Sequence, residues 1–327
     1  MTNGRNNIKL ARIFHPKEIQ KPARCYNYTF ILQIMDICNI FNHFYSKIWI
    51  IYPIFAVKLQ TDVPHWMGQT KNHTAPFCRI FKHTGLNLII DIGNNSAKFF
   101  LFKGEQIILH TRKSNSSFDV IDEWSSQYDI EKAIISSVIA ESAALQSAIS
   151  RLKCPVIRFC NTMPLPIEIG YRTPQTLGSD RIAAAVGAWS AAPGRNIMVI
   201  DAGSAITVDF IDRNGKYHGG NIAPGIKMRL KALHEYTDRL PMVEKEGDTP
   251  TIGYDTETAI RSGVMNGICH EMDGYINEFK QKYCDVLVFL TGGDEKPLKN
   301  RIKNCIFADK YLVAKGLNRI LTDYVNE

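Results

Sequence analysis

Two short stretches place a carboxylate where phosphate chemistry needs one. Ile89-Ile90-Asp91-Ile92-Gly93-Asn94 and, 110 positions later, Val199-Ile200-Asp201-Ala202-Gly203-Ser204 each run an apolar segment into an aspartate, then a glycine and a short polar side chain. A buried strand ending this way delivers its acid to a tight turn. Glycine lets the backbone bend sharply or approach a ligand, and the short polar group beside it suits phosphate or metal-bound water. Each copy continues into a second strand-like run, with Ala97-Lys98-Phe99-Phe100-Leu101 aligning on Thr207-Val208-Asp209-Phe210-Ile211. Two such units facing each other across a cleft would hold the phosphates and the cation of a nucleotide from both sides. Coincidence between two β-hairpins is the plain alternative.

A third acid stands in Gly178-Ser179-Asp180-Arg181, which opens a helical run through Ala192. Ser179 or Asp180 could simply cap that helix. An arginine in the first turn opposes the helix dipole, however, so Arg181 needs another reason to be there. The small residues of Gly219-Gly220-Asn221-Ile222-Ala223-Pro224-Gly225 leave little to pack and read as a backbone-lined ligand surface. Thr291-Gly292-Gly293-Asp294 is a further glycine-bearing turn at the end of an apolar run.

The elements that must position these groups begin abruptly at Leu86. Strands are expected over 86–92, 97–102, 106–112, 132–138, 155–159 and 285–290, and helices over 119–127, 141–152, 178–192, 226–236, 256–283 and 310–324. This alternation favours mixed sheets with helices on their faces, in a first lobe over 86–177 and a second over 178–327. The length of 327 residues accommodates that arrangement with a sizeable core.

Residues 1–85 read differently. They hold 11 Lys and Arg against 3 Asp and Glu, whereas the remainder holds 28 against 29, so the formal charge of +7 belongs to the N-terminal segment. The body of the chain therefore makes no electrostatic case for nucleic acid. The apolar stretch from Tyr26 to Leu59 is broken by Asp36, Asn39, Asn42, His43 and Lys47, and supplies no clean membrane span of about 20 residues. The segment is expected to be disordered or not part of the native protein, an upstream reading frame joined by a misplaced start. A weak membrane-binding or partner-binding extension is the alternative.

Neither a P-loop, a dinucleotide-binding glycine motif, a Gly-x-Ser-x-Gly elbow nor a His-Glu-x-x-His helix occurs. The eight cysteines are scattered without a Cys-x-x-Cys pair, which suggests a reducing compartment and no zinc site. Cys154 and Cys160 are expected to be plain core residues, a local disulfide being the alternative.

Taken in order, the Asp91, Gly178-Ser179-Asp180-Arg181, Asp201, Gly219-Gly220 and Thr291-Gly292-Gly293 motifs resemble those of the type III pantothenate kinases, over residues 86–327. These belong to the superfamily of actin, sugar kinases and chaperone ATPases, so the resemblance implies a duplicated actin-like (ribonuclease H-like) α/β fold of two lobes. It further implies phosphorylation of pantothenate by ATP with Mg2+, the first step of coenzyme A biosynthesis, by a cytoplasmic homodimer without nucleic-acid or membrane partners. By the same likeness Asp91, Ile92, Gly93, Asn94, Asn95, Ser96, Ala97 and Lys98 bind ATP with Ser204. Asp180 is the general base, and Tyr171, Gly178, Ser179, Arg181 and Thr256 join it in holding pantothenate. Asp201 is the ligand of a monovalent cation, potassium or ammonium. Two departures stand out. The first turn reads Asn94-Asn95 before Ser96, where the family continues directly from asparagine to a hydroxyl, and Ser204 replaces the usual threonine. Another small-molecule kinase of the superfamily and a non-catalytic transcription accessory factor are the competing readings; retention of Asp91, Asp180 and Asp201 favours catalysis.

Overall fold

The computed structural model describes residues 85–283 and 285–324, which belong to one compact unit. The expected N-terminal extension thus lies outside the described residues, Gly85 excepted.

Strands β1 (Leu86–Ile92), β2 (Ala97–Lys103) and β3 (Gln106–Lys113) form an antiparallel meander, and β4 (Ile130–Ser137) and β5 (Val156–Arg158) extend it in parallel on the other side of β1. The order is β3-β2-β1-β4-β5. Helices α1 (Asp119–Gln127) and α2 (Ala143–Ser150) connect its later strands. After the short β6 (Glu168–Ile169) and helix α3 (Ser179–Ala191), the pattern returns as β7 (Asn196–Ala202), β8 (Ala205–Ile211) and β9 (Lys216–Pro224). Then come α4 (Ile226–Glu235), α5 (Thr256–Lys282), β10 (Val286–Thr291), α6 (Glu295–Lys299), β11 (Phe307–Ala308) and α7 (Leu312–Tyr324). The second sheet runs β11-β10-β7-β8-β9-β6. Its first five strands repeat the order and directions of the first sheet, as a duplicated two-lobe fold requires. β6 adds to the edge of β9, so the second sheet recruits residues from before the lobe boundary expected at 177/178.

The repeat has one slip. Asp91 lies opposite Lys98 and Ile92 opposite Ala97, whereas Asp201 lies opposite Thr207 and Ala202 opposite Ile206. The first turn spans Gly93 to Ser96 and closes through Gly93 N–H to the Ser96 carbonyl (3.1 Å); the second spans Gly203 to Ala205 and closes one residue sooner (3.0 Å). The counterpart of Thr207 is therefore Lys98 rather than Ala97, and the extra residue is absorbed in the Asn94-Asn95 pair.

Alternation along the strands builds five layers. Leu88, Ile90, Phe99 and Leu101 pack on α1 and α2, while Met198, Ile200, Val208 and Leu290 pack on α4 and α5. The opposite faces, through Ile89, Phe100, Ile197, Val199 and Phe289, share one core with α3 and α7 in the middle. There the two helices meet backbone to backbone. A Cβ on Gly187 would lie 2.4 Å from the Leu312 carbonyl, and one on Gly316 would lie 1.8 Å from that of Ala183. Asn318 on α7 ties this layer to the first lobe, accepting from Asn87 (2.7 Å) and donating to the Gly104 carbonyl (2.9 Å).

The glycines at 219 and 220 are packing devices inside β9. Gly219, at φ +112°, lies under the Tyr171 ring, and a Cβ on Gly220 would come within 1.9 Å of the Val208 carbonyl. Cys160 is exposed and Cys154 half-buried, both as free thiols, so only the latter approaches the expected core placement.

Candidate active site

Strict alternation decides where the acids point. Ile89 and Val199 face the middle layer, so Asp91 and Asp201, two residues on, face it too, at the strand ends where the two lobes oppose each other. The same parity brings Lys98, Ser136, Thr207, Asp209 and Thr291 to this gap. Asp91 pairs in register with Ser136 and Asp201 with Thr291, so each acid has a hydroxyl beside it on the neighbouring parallel strand. A small, solvent-open recess is lined by Asp91, Lys98, Asp201, Thr291, Lys310 and Tyr311.

The two turns touch directly. Asn95 is exposed at the tip of the first and donates to Ser204 Oγ in the second (3.0 Å). Ser96 is buried and accepts from Arg112 Nε (2.7 Å), so of the two side chains at this departure Asn95 is the one that faces the gap. Asn115 braces the turn by donating to the carbonyls of Gly93 (2.9 Å) and Asn94 (3.1 Å).

Charge is divided unequally. Lys98 Nζ donates to Asp91 Oδ2 at 3.0 Å. Burial alone would depress the pKa of this ammonium, but the carboxylates of Asp91 and Asp201 outweigh it and hold the pKa above the usual lysine range. Asp201 is pushed up to about 7, first by burial and then by Asp180, Asp91 and Asp209, with Lys98 opposing. Gly292, at φ +98°, wraps this acid so closely that a Cβ there would lie 2.4 Å from Asp201 Oδ1.

Asp180 sits in the first turn of α3 but does not cap it. The N-cap position is Gly178, without a side-chain bond; Ser179 Oγ accepts from Ser136 Oγ (2.9 Å) and Asp180 Oδ1 from the Arg181 backbone N–H (2.8 Å). Burial raises the Asp180 pKa, the Arg181 N–H opposes, and Asp91 and Asp209 add to the rise. Gly178 leaves room for this carboxylate, since a Cβ would fall 2.5 Å from its Oδ1.

Arg181 has the reason its position demanded. It is 6% exposed and grips the 1% exposed Asp209 of β8 through Nε (3.0 Å) and Nη2 (2.5 Å), while Tyr217 donates its hydroxyl to the same carboxylate (2.6 Å). Burial works against the guanidinium, yet Asp209 holds its pKa far above the usual value. Removing one partner of so buried a pair costs about 3–5 kcal/mol. Two of the nitrogens expected to grip a substrate carboxylate are thus occupied, and Arg181 serves first to lock α3 to the second sheet. Tyr171 covers the pair, its ring centroid 5.8 Å from the guanidinium and 6.3 Å from the Tyr217 ring. Asp209 and Tyr217 were not among the expected site residues. Thr256 opens α5, exposed, behind the Asp255 capping box; α5 packs on the far face of the second sheet from α3.

The gap therefore presents Asp91, Asp180 and Asp201 around Lys98, with a tied arginine behind. Against known proteins, a family model for type III pantothenate kinase matches residues 87–278. The chain is 50% identical over 236 residues to the type III pantothenate kinase of Bacteroides fragilis, covering 72% of this chain and 97% of that protein. It is 48% identical over 237 residues to that of Phocaeicola vulgatus, covering 72% and 98%. Among solved structures, a ROK family glucokinase from Streptomyces griseus in complex with glucose and AMPPNP is 12% identical with a TM-score of 0.43, covering 74% of this chain and all of that one. With more than half its length matched by the family model and a relative at 50% identity, this chain belongs to the type III pantothenate kinase family.

Proposed function

We propose that the chain transfers the terminal phosphate of MgATP to the hydroxyl of pantothenate, and that Asp180 accepts the proton of that hydroxyl. The observation that carries this reading is the contrast at the start of α3, where Asp180 lies within electrostatic reach of Asp91 and Asp201 while the adjacent arginine is tied to Asp209. Phosphoryl transfer through a loose transition state asks for in-line placement and charge neutralisation more than for covalent chemistry. Lys98 and the backbone of the Asp91 turn hold the phosphates, with Asn95 and Ser204 closing over them from the two lobes. An acid whose pKa is raised by burial is a better base than an ordinary aspartate, and it suffices when the proton leaves late.

Four aspartates share this region with Lys98 and Arg181, so a polyanionic nucleotide enters only if further cations accompany it. A carboxylate held up to about 7 is short of positive charge, which fits Asp201, with the Thr291 hydroxyl beside it, as ligand of a monovalent cation. Potassium or ammonium there would supply fixed charge next to the phosphates. On pKa alone Asp201 competes with Asp180 as base, and a bound cation removes it from that competition by pulling its pKa down.

Free thiols at Cys154, Cys160, Cys269 and Cys305 support a reducing, cytoplasmic setting. Among the described residues no helix is long and apolar enough to cross a membrane. The reading is tested by following ATP-dependent phosphorylation of pantothenate with the purified chain and its Asp180→Asn variant, with and without potassium. Turnover is expected to fall by about 10² or more in the variant while the potassium response persists. If Asp180→Asn retains turnover and Asp201→Asn abolishes the rise of rate with pH, the base is Asp201.

A further inference from the structure

The contact between α3 and α7 is reciprocal. Gly187 abuts Leu312 and Gly316, and Gly316 abuts Ala183 and Gly187. Superposing Gly187 on Gly316 and Ala183 on Leu312 relates the two helices by a constant offset of 129 residues. Carried back to the helix starts, that offset lays Asp180 on Asp309 and Arg181 on Lys310. The acid and cation pair in the first turn of α3 has a counterpart in the turn just before α7.

The roles within the pair are exchanged. At α3 the cation is tied, to Asp209, and the acid is presented. At α7 the acid is tied: Asp309 accepts from the Tyr311 backbone N–H (3.0 Å) and from Lys315 Nζ (2.6 Å). The strand position of the first lobe equivalent to Asp209 is Phe100, which offers a ring instead of a carboxylate. Tyr311 packs edge-on against it (5.6 Å) and donates to or accepts from His110 Nε2 (2.7 Å). Lys310 Nζ rests 4.5 Å from the Tyr311 centroid, so a fixed aromatic shelf holds the ammonium. Among the described residues its recorded partner is this ring rather than an acid, and Lys310 lines the same cavity as Asp91, Lys98 and Asp201.

We propose that Lys310 is a second cationic contact for the nucleotide phosphates, delivered from the second lobe opposite Lys98. This rests on reading the gap as the nucleotide site. The ring anchors the cation without neutralising it, leaving its full charge for an anion.

Calorimetric titration of the full chain and its Lys310→Met and Lys310→Arg variants with AMPPNP and with AMP tests the proposal. Loss of a charge-assisted phosphate contact should weaken AMPPNP binding about tenfold in Lys310→Met and about threefold or less in Lys310→Arg, with AMP binding and the melting temperature unmoved. Unchanged AMPPNP affinity in Lys310→Met, or equal losses for AMPPNP and AMP, would overturn it. Failure of the unmodified chain to bind AMPPNP at all would instead overturn the nucleotide reading, and this proposal with it.

Discussion

The Asp91 and Asp201 turns share strand order, pairing and a neighbouring hydroxyl, yet differ in charge. Asp91 has a lysine directly across the hairpin, at 3.0 Å, whereas Asp201 has Thr207 at that place and is held up to about 7. A duplicated scaffold has thus produced one turn whose acid touches a lysine and one whose acid feels the same lysine only at a distance. The first can approach phosphate without repelling it. The second lacks that partner across its hairpin, so the difference in charge between the two turns follows from a single strand position.

Substitutions at that position and its neighbours break the contrast most directly. Lys98→Met leaves both acids uncompensated, and turnover in the coupled kinase assay should fall by about 10²–10³. Asp201→Asn removes the acid that lacks charge, so turnover should drop by about 10–10² and the response to potassium should vanish. The same variant has a stability signature. A carboxyl raised to about 7 in the folded chain favours folding fully only below its unfolded value near 4, and that contribution is lost as pH climbs to about 7. Without bound cation, Asp201→Asn should therefore melt about 5 °C above the unmodified chain near pH 8 and at nearly the same temperature near pH 4. Thr207→Lys copies the first turn into the second; its activity should respond to potassium less than about twofold, because a resident ammonium replaces the ion. A full potassium response in that variant would separate the cation requirement from charge at Asp201. Asn95→Ala, which cuts the 3.0 Å link between the turns, should raise KM for ATP by only about two- to fivefold, since one exposed hydrogen bond is lost.

The acids and their strands were legible because a buried strand ending in Asp-x-Gly leaves few alternatives. The helix expected over 119–127 forms at those bounds, since Val120, Ile121 and Trp124 make one apolar stripe. Two anomalies were readable singly and went unjoined. Arg181 was unfavourable at a helix start, and Asp209 interrupts the apolar run Val208-Asp209-Phe210 at a position that must be buried. Pairing those two unfavourable charges would have found the salt bridge, though nothing local says they meet across 28 residues. The slip from 110 to 109 leaves no trace in the residue types, because Asn94 and Asn95 are alike and either could be the extra one. The two-residue strand β6 carries too little pattern to declare its sheet. Gly219 and Gly220 illustrate a related point: absence of a side chain signals close approach, and the sequence does not say that the Tyr171 ring and a neighbouring strand are what approaches.

Helices α3 and α7 touch through Gly187 and Gly316 without interposed side chains, and that has a mechanical meaning. At that point two backbones fix the distance between the helices, while Ile182, Val186, Leu317 and Ile320 pack in the same core. The crossing therefore sets the separation of the two sheets. The Asn95 link to Ser204 lies at the open jaw, and the Asn87, Asn318 and Gly104 bonds lie on the side away from it. A ligand drawing the two turns together would load this contact, where neither glycine has room for a side chain.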